Sequence, residues 1–105
     1  MEYLKKLYGT TVIDSSDSED DGIEGQIELE YYKTKNGLVV LEDKKPYGIE
    51  IIKKKKENEQ LNIEAKVINN MFDEETKINK LLDLLIKNKV TPISVEDILA
   101  DLITV

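Results

Sequence analysis

The chain of 105 residues has no histidine, cysteine, tryptophan or arginine, and only two prolines. Without histidine there is no side chain that titrates near neutrality unperturbed, no imidazole metal ligand, and no Ser-His-Asp or Cys-His catalytic pair. Without cysteine there is no thiol nucleophile, disulfide, thiolate metal site or iron–sulfur ligation. The missing arginine removes the planar fork that reads phosphates and base edges in pairs of hydrogen bonds, so direct base readout is not expected. No stretch approaches the ~20 apolar residues of a membrane span, and Met1 to Tyr8 lacks the apolar run of a signal peptide. The expectation is a cytoplasmic protein without a cofactor, metal or membrane contact.

What remains is acidic and lysine-rich. The chain carries 22 acidic residues against 15 basic ones, a net charge of -7, with 40% hydrophobic residues. That length fits one domain over residues 1–105, large enough to bury a core.

Residues 1–70 read as mainly β, because apolar side chains recur at period two. In Leu61 to Val67, the residues Leu61, Ile63, Ala65 and Val67 are expected to face a core, with Asn62, Glu64 and Lys66 toward water. In Ile27 to Tyr32, the inner residues are Ile27, Leu29 and Tyr31. Asn36-Gly37 signals a turn leading into Leu38 to Leu41, so residues 31–41 are expected to form a β-hairpin. Another strand follows Pro46 over Tyr47 to Ile52. Residues 3–12 alternate as a first strand, although a short amphipathic helix over 2–8 has a similar pattern.

The period changes at Asp73. Ile78, Leu81, Leu82 and Leu85 form a helical stripe, with Asp73 as the expected N-cap, Lys87 and Lys89 near the C-terminus, and a stop before Thr91-Pro92. A second helix is expected from Ser94, capped by its own hydroxyl and stapled by Ile93 on Ile98, with Val95, Ile98, Leu99 and Leu102 buried. Residues 73–103 thus supply two helices. The expected fold is α+β: an N-terminal antiparallel sheet of about five strands, followed by two C-terminal helices packed on one face.

Two charged segments are candidate interaction surfaces. The acidic run over 14–22 contains Asp17, Glu19, Asp20 and Asp21. Counted from Asp17, its acids, Gly22 and Glu28 fall near the positions of an EF-hand loop. Glu19 at position three, the charged Glu24 at position eight and strand-like flanks oppose that reading, which leaves a mobile solvated loop between strands. Ser15, Ser16 and Ser18 would accept phosphate, but no arginine is present to receive it. The basic counterpart is Lys53, Lys54, Lys55 and Lys56. Residues 44–56 hold six lysines and one glutamate, while 14–30 hold eight acids and no base. The lysines suit an anionic partner, the acidic loop of a second copy, a solvated strand tip, or protection of a sheet edge. Little aromatic platform accompanies them for nucleic acid. Tyr31-Tyr32 and Tyr47-Gly48 are either pocket or sheet residues, and Glu28 with Glu30 share one strand face.

The segments Tyr3 to Thr11, Tyr47 to Ile51 and Val90 to Ile98 resemble a family of small uncharacterised proteins of clostridial Firmicutes, a domain of unknown function. The resemblance covers nearly the whole chain. It implies a cytosolic bacterial protein with an N-terminal sheet and C-terminal helices, and it assigns no functional residue.

An inventory poor in catalytic groups, set on a sheet with free edges, points to a non-catalytic interaction or regulatory module with a protein partner or a second copy of itself. The alternatives are an acidic mimic of nucleic acid that blocks a basic protein, and an enzyme working through carboxylates.

Overall fold

The computed structural model describes residues 3–13, 26–36, 45–57 and 59–103. Four strands, β1 (Tyr3–Ile13), β2 (Ile27–Asn36), β3 (Tyr47–Glu57) and β4 (Gln60–Phe72), precede helices α1 (Glu75–Lys87) and α2 (Val95–Ile103). The strands form one antiparallel sheet in the order β1-β2-β3-β4, each paired with its neighbour in sequence. Such a meander needs only hairpin connections, which suits a chain whose apolar alternation recurs at short intervals.

Both helices lie on one face of the sheet. Ile78, Leu81, Leu82 and Leu85 of α1 and Val95 and Leu99 of α2 are buried against Leu29 and Tyr31 of β2 and Ile49 and Ile51 of β3. This is the stripe that period 3.6 requires, meeting the inward residues that period two requires. The core is therefore centred on the two inner strands. Tyr31 reaches through it and donates its hydroxyl to the carbonyl of Val90 at 2.7 Å.

The end of α1 is closed by its backbone. Lys89 takes a left-handed conformation (φ 51°), its N–H donates to Ile86 and that of Val90 donates to Leu85, the paired pattern of a Schellman stop. Val90, the residue after the left-handed position, is buried and links the stop to the core.

Two irregularities shape the sheet. Leu7 pairs with Tyr32 and Gly9 with Tyr31, so Tyr8 is an extra residue; Tyr8 reaches α1, and a Cβ at Gly9 would run into Ile86 of the same helix. Tyr8 uses this position to donate to Asp83 at 2.8 Å. At the other side, Ile49 pairs with Ile68 but Tyr47 with Phe72, which leaves a bulge in β4 over Asn69 to Met71, with Asn70 at φ 56°. Gly48 lies beneath that bulge. A Cβ there would run into the carbonyl oxygen of Ile68 and stand 2.9 Å from Thr34 Oγ1.

Several expectations need correction. The described sheet has four strands, not about five. β2 has β1 on one side and β3 on the other; residues 38–41 of the expected hairpin, and the loop over 14–22, lie outside the described residues. The N-cap of α1 is Glu74, without a side-chain cap, while Asp73 bonds Lys77 at 3.1 Å. Ile93 is 82% exposed, and Ser94 turns its hydroxyl back to Thr91.

The largest correction concerns β4. Leu61, Ile63, Ala65 and Val67 alternate as expected, yet they point away from the helices and are exposed. The residues on the helix side are Asn62, Glu64, Lys66, which pairs with Glu96 of α2, and Ile68, which packs on the core. Alternation alone does not say which of two faces is covered.

Candidate functional site

Every strand of the sheet shows its second set of side chains on the face opposite the helices. Among the described residues no helix lies over that face, and only the bulge of β4 folds over one end of it, at Gly48 and the buried Thr34. Its two halves differ in chemistry.

Over β2 and β3 it is mostly polar and closely paired, while the edge strand β1 adds Leu7 and Val12, 50% and 39% exposed. Lys54 donates to Glu30 at 3.1 Å and Tyr32 donates to the other oxygen of the same carboxylate at 2.9 Å. Lys5 lies 4.7 Å from the centre of the Tyr32 ring and 3.3 Å from Glu50. The hydrogen bonds from Lys54 and Tyr32 favour ionised Glu30 and hold its carboxyl below the usual range; the same bond raises the Tyr32 hydroxyl. Such a network is satisfied within itself.

Along β4 the face is apolar. Leu61, Ile63 and Val67 are 58%, 57% and 43% exposed, in line with Ala65 and beside the half-buried Ile52 of β3. β4 is also an edge strand, paired on one side with β3 and, among the described residues, with nothing on the other. A groove of about 410 Å³ follows this edge on the helix side, lined by Glu64, Ala65 and Lys66 of the strand and by Pro92, Ile93 and Glu96. The exposed row, the free edge and the groove thus meet at one strand.

The four lysines expected to act together are divided by the strand that carries them. Consecutive residues of a strand point to opposite faces. Lys53 turns to the helix side and pairs with Glu64 at 3.5 Å, whereas Lys54 turns to the open side and pairs with Glu30. Lys55 is engaged in an interaction of its own, and Lys56 is exposed at the end of the strand opposite Leu61. Because β3 is an inner strand, these lysines guard no edge. Asp17, Glu19, Asp20 and Asp21 lie outside the described residues. Tyr31 is core, Tyr32 belongs to the polar network and Tyr47 packs beside the core. Among the described residues no group of three acids is gathered to hold a metal ion, and no helix is long and apolar enough to cross a membrane.

Leu61, Ile63, Ala65 and Val67 were legible as a row but not as a surface. The signal that separates the two readings is Ile68, which follows Val67 directly and starts a second apolar set, Ile68 with Phe72, of the opposite parity. Two apolar parities in one strand mean that one of them has to be left outside a two-layer fold.

Residues 5–105 match the model of a family of unknown function (DUF6514). No curated protein and no solved structure matches the chain.

Proposed function

The chain belongs to this family of unknown function, and we propose that it is a non-catalytic protein-interaction module whose binding surface is the β4 side of the uncovered sheet face together with the β4 edge. The observation that carries this reading is the row Leu61, Ile63 and Val67, exposed on an edge strand. Long edge strands with apolar faces invite another chain, and proteins that avoid such contact cover, charge or kink them. Here the kink comes only after Ile68, so the strand is regular throughout the exposed row.

The carboxylates support the non-catalytic part. Glu30, Glu50, Glu64, Glu75 and Glu96 are each paired with a lysine. The Glu30 and Glu75 carboxyls are held below the ordinary range by the lysine that bonds them. A general acid needs the opposite shift, toward the operating pH.

The test is a photoreactive residue in place of Ile63, compared with one in place of the exposed Lys80 on α1, irradiated in cells of the source organism. A discrete protein adduct from position 63 that is absent from position 80 is expected. No adduct from position 63, with the variant folded and expressed, overturns the assignment of the surface.

A further inference from the structure

Resting on that reading of β4 as the binding surface, we infer that its partner is a second copy of the chain, joined edge to edge by antiparallel pairing of the two β4 strands about a two-fold axis through Ala65.

The argument begins with symmetry. Two identical strands that extend one sheet in the antiparallel sense are related by a two-fold axis perpendicular to the sheet, so the helix side of one copy continues the helix side of the other. Opposite residues then share a face, and the axis must pass through a residue position. Each possible centre fixes a complete set of cross-strand pairs.

Centred on Ala65, the pairs are Ala65 with Ala65, Glu64 with Lys66, Ile63 with Val67, and Asn62 with Ile68. On the helix side, each glutamate meets a lysine twice over by symmetry. On the uncovered side, the two exposed β-branched residues meet each other across the smallest side chain of the row. Opposite charges and apolar pairs are the favourable cross-strand combinations, and like charges are the unfavourable ones.

The neighbouring centres fail on the same chemistry. An axis at Glu64 sets glutamate on glutamate, and one at Lys66 sets lysine on lysine. An axis at Ile63 leaves Glu64 facing Asn62 and Lys66 facing Gln60, with no pair of opposite charge. An axis at Val67 sets Lys66 against Ile68 and drives the pairing into the bulge at Asn69 to Met71. One register thus combines charge complementarity with apolar matching.

The groove is placed to receive that strand. It runs along the free edge at Glu64, Ala65 and Lys66, the residues around the axis, and its far wall is the connector at Pro92 and Ile93 with Glu96. Ile93, 82% exposed in the single copy, borders the space that the second strand would enter. Glu64 and Lys66 keep 51% and 38% of their side-chain surface, so each has room for a second ionic partner beside Lys53 and Glu96.

Charge reversal tests both the self-association and its register, by sedimentation at physiological ionic strength, where the like net charge of the two copies is screened over ~8 Å. The wild-type chain, of 12.0 kDa, is expected to sediment at twice that mass. Glu64→Lys and Lys66→Glu each turn both ionic pairs into repulsions and are expected to weaken self-association on the order of a hundredfold. Mixed in equal amounts, the two single variants are expected to form a heterodimer, because each then supplies the charge that the other lacks. The double variant Glu64→Lys/Lys66→Glu is expected to recover self-association. Since Lys66 also holds Glu96, far-UV circular dichroism checks that each variant is folded, and the double variant and the mixture read the pairing even if one single variant is lost.

A wild-type chain that stays monomeric at its highest soluble concentration overturns the second copy as partner. If position 63 still cross-links to a different protein in cells, the interaction reading stands without it; if position 63 gives no adduct either, both fall. A dimer that survives both single reversals overturns the pairing through β4.

Discussion

The two faces of the sheet are built from the same four strands, often from adjacent residues, and differ in almost every physical respect. On β2 and β3, Leu29, Tyr31, Ile49 and Ile51 have no exposed surface, while their neighbours Glu28, Glu30, Tyr32, Glu50, Ile52 and Lys54 stand on the side without helices. On β4 the inequality runs the other way: the most apolar row is outside, and Lys66 is on the helix side. Both helices lie on the other face, so the outward row of β4 has no helix to pack against. Which face carries the helices, more than a strand's own composition, decides whether an apolar row becomes core or surface.

The sharpest way to break this distinction is to shorten one side chain on each face. Ile51→Ala removes a fully buried side chain packed between sheet and helices and is expected to cost about 2–5 kcal/mol in denaturant unfolding. Ile63→Ala, measured on the monomeric chain, is expected to change stability by less than about 1 kcal/mol, because its side chain is already largely in water. Equal costs would mean that the uncovered face is packed after all.

A finer comparison uses the adjacent tyrosines, one on each face. The Tyr31 hydroxyl bonds the Val90 carbonyl inside the core, and Tyr31→Phe leaves that acceptor buried without its donor, at an expected cost of about 1–2 kcal/mol. Tyr32→Phe removes a half-buried bond to Glu30 and is expected to cost about 0.5 kcal/mol or less. Burial pushes the Tyr31 hydroxyl well above the ordinary tyrosine range. A neutral form favoured by folding contributes stability that is present below the ordinary value of about 10 and is lost as pH rises past it. In an ultraviolet titration, Tyr31 is therefore expected to ionise only as the protein unfolds, and Tyr31→Phe is expected to flatten the alkaline loss of stability.

Much of this asymmetry was readable in advance. The stripe Ile78, Leu81, Leu82 and Leu85, the inward set Ile27, Leu29 and Tyr31, and the helical layer on one face follow from periodicity alone, because a helix of that pattern has one place to bury it. The face of β4 was not readable, since a period of two specifies two faces without ranking them. Consecutive residues of a strand point to opposite faces, and Lys53 and Lys54 pair with glutamates on opposite sides of the sheet. Pairing across the strands, from Lys53 to Glu64 and from Lys54 to Glu30, depends on register, which local pattern does not contain.

The smallest effect separates two ion pairs by acid. Glu30 on the uncovered face and Glu75, which ties the start of α1 to Lys33 of β2, both have their carboxyls held below the ordinary range, each chiefly by a hydrogen bond from its lysine. A depressed carboxyl contributes stability that is fully present above its unfolded value, about 4.3 for glutamate, and is lost as pH falls through the folded one. The wild-type advantage over Glu30→Gln is therefore expected to be steady near neutrality, smaller than the effect of Tyr31→Phe, and to vanish toward strong acid. Because Glu75 is further into water than Glu30, with 55% against 21% of its side chain exposed, Glu75→Gln should show the weaker pH dependence of the two. The reverse order, read from paired denaturant titrations at neutral and acid pH, would place the stronger electrostatic tie under the helix rather than on the open sheet, and would break the view of the polar half of that face as a structural network in its own right.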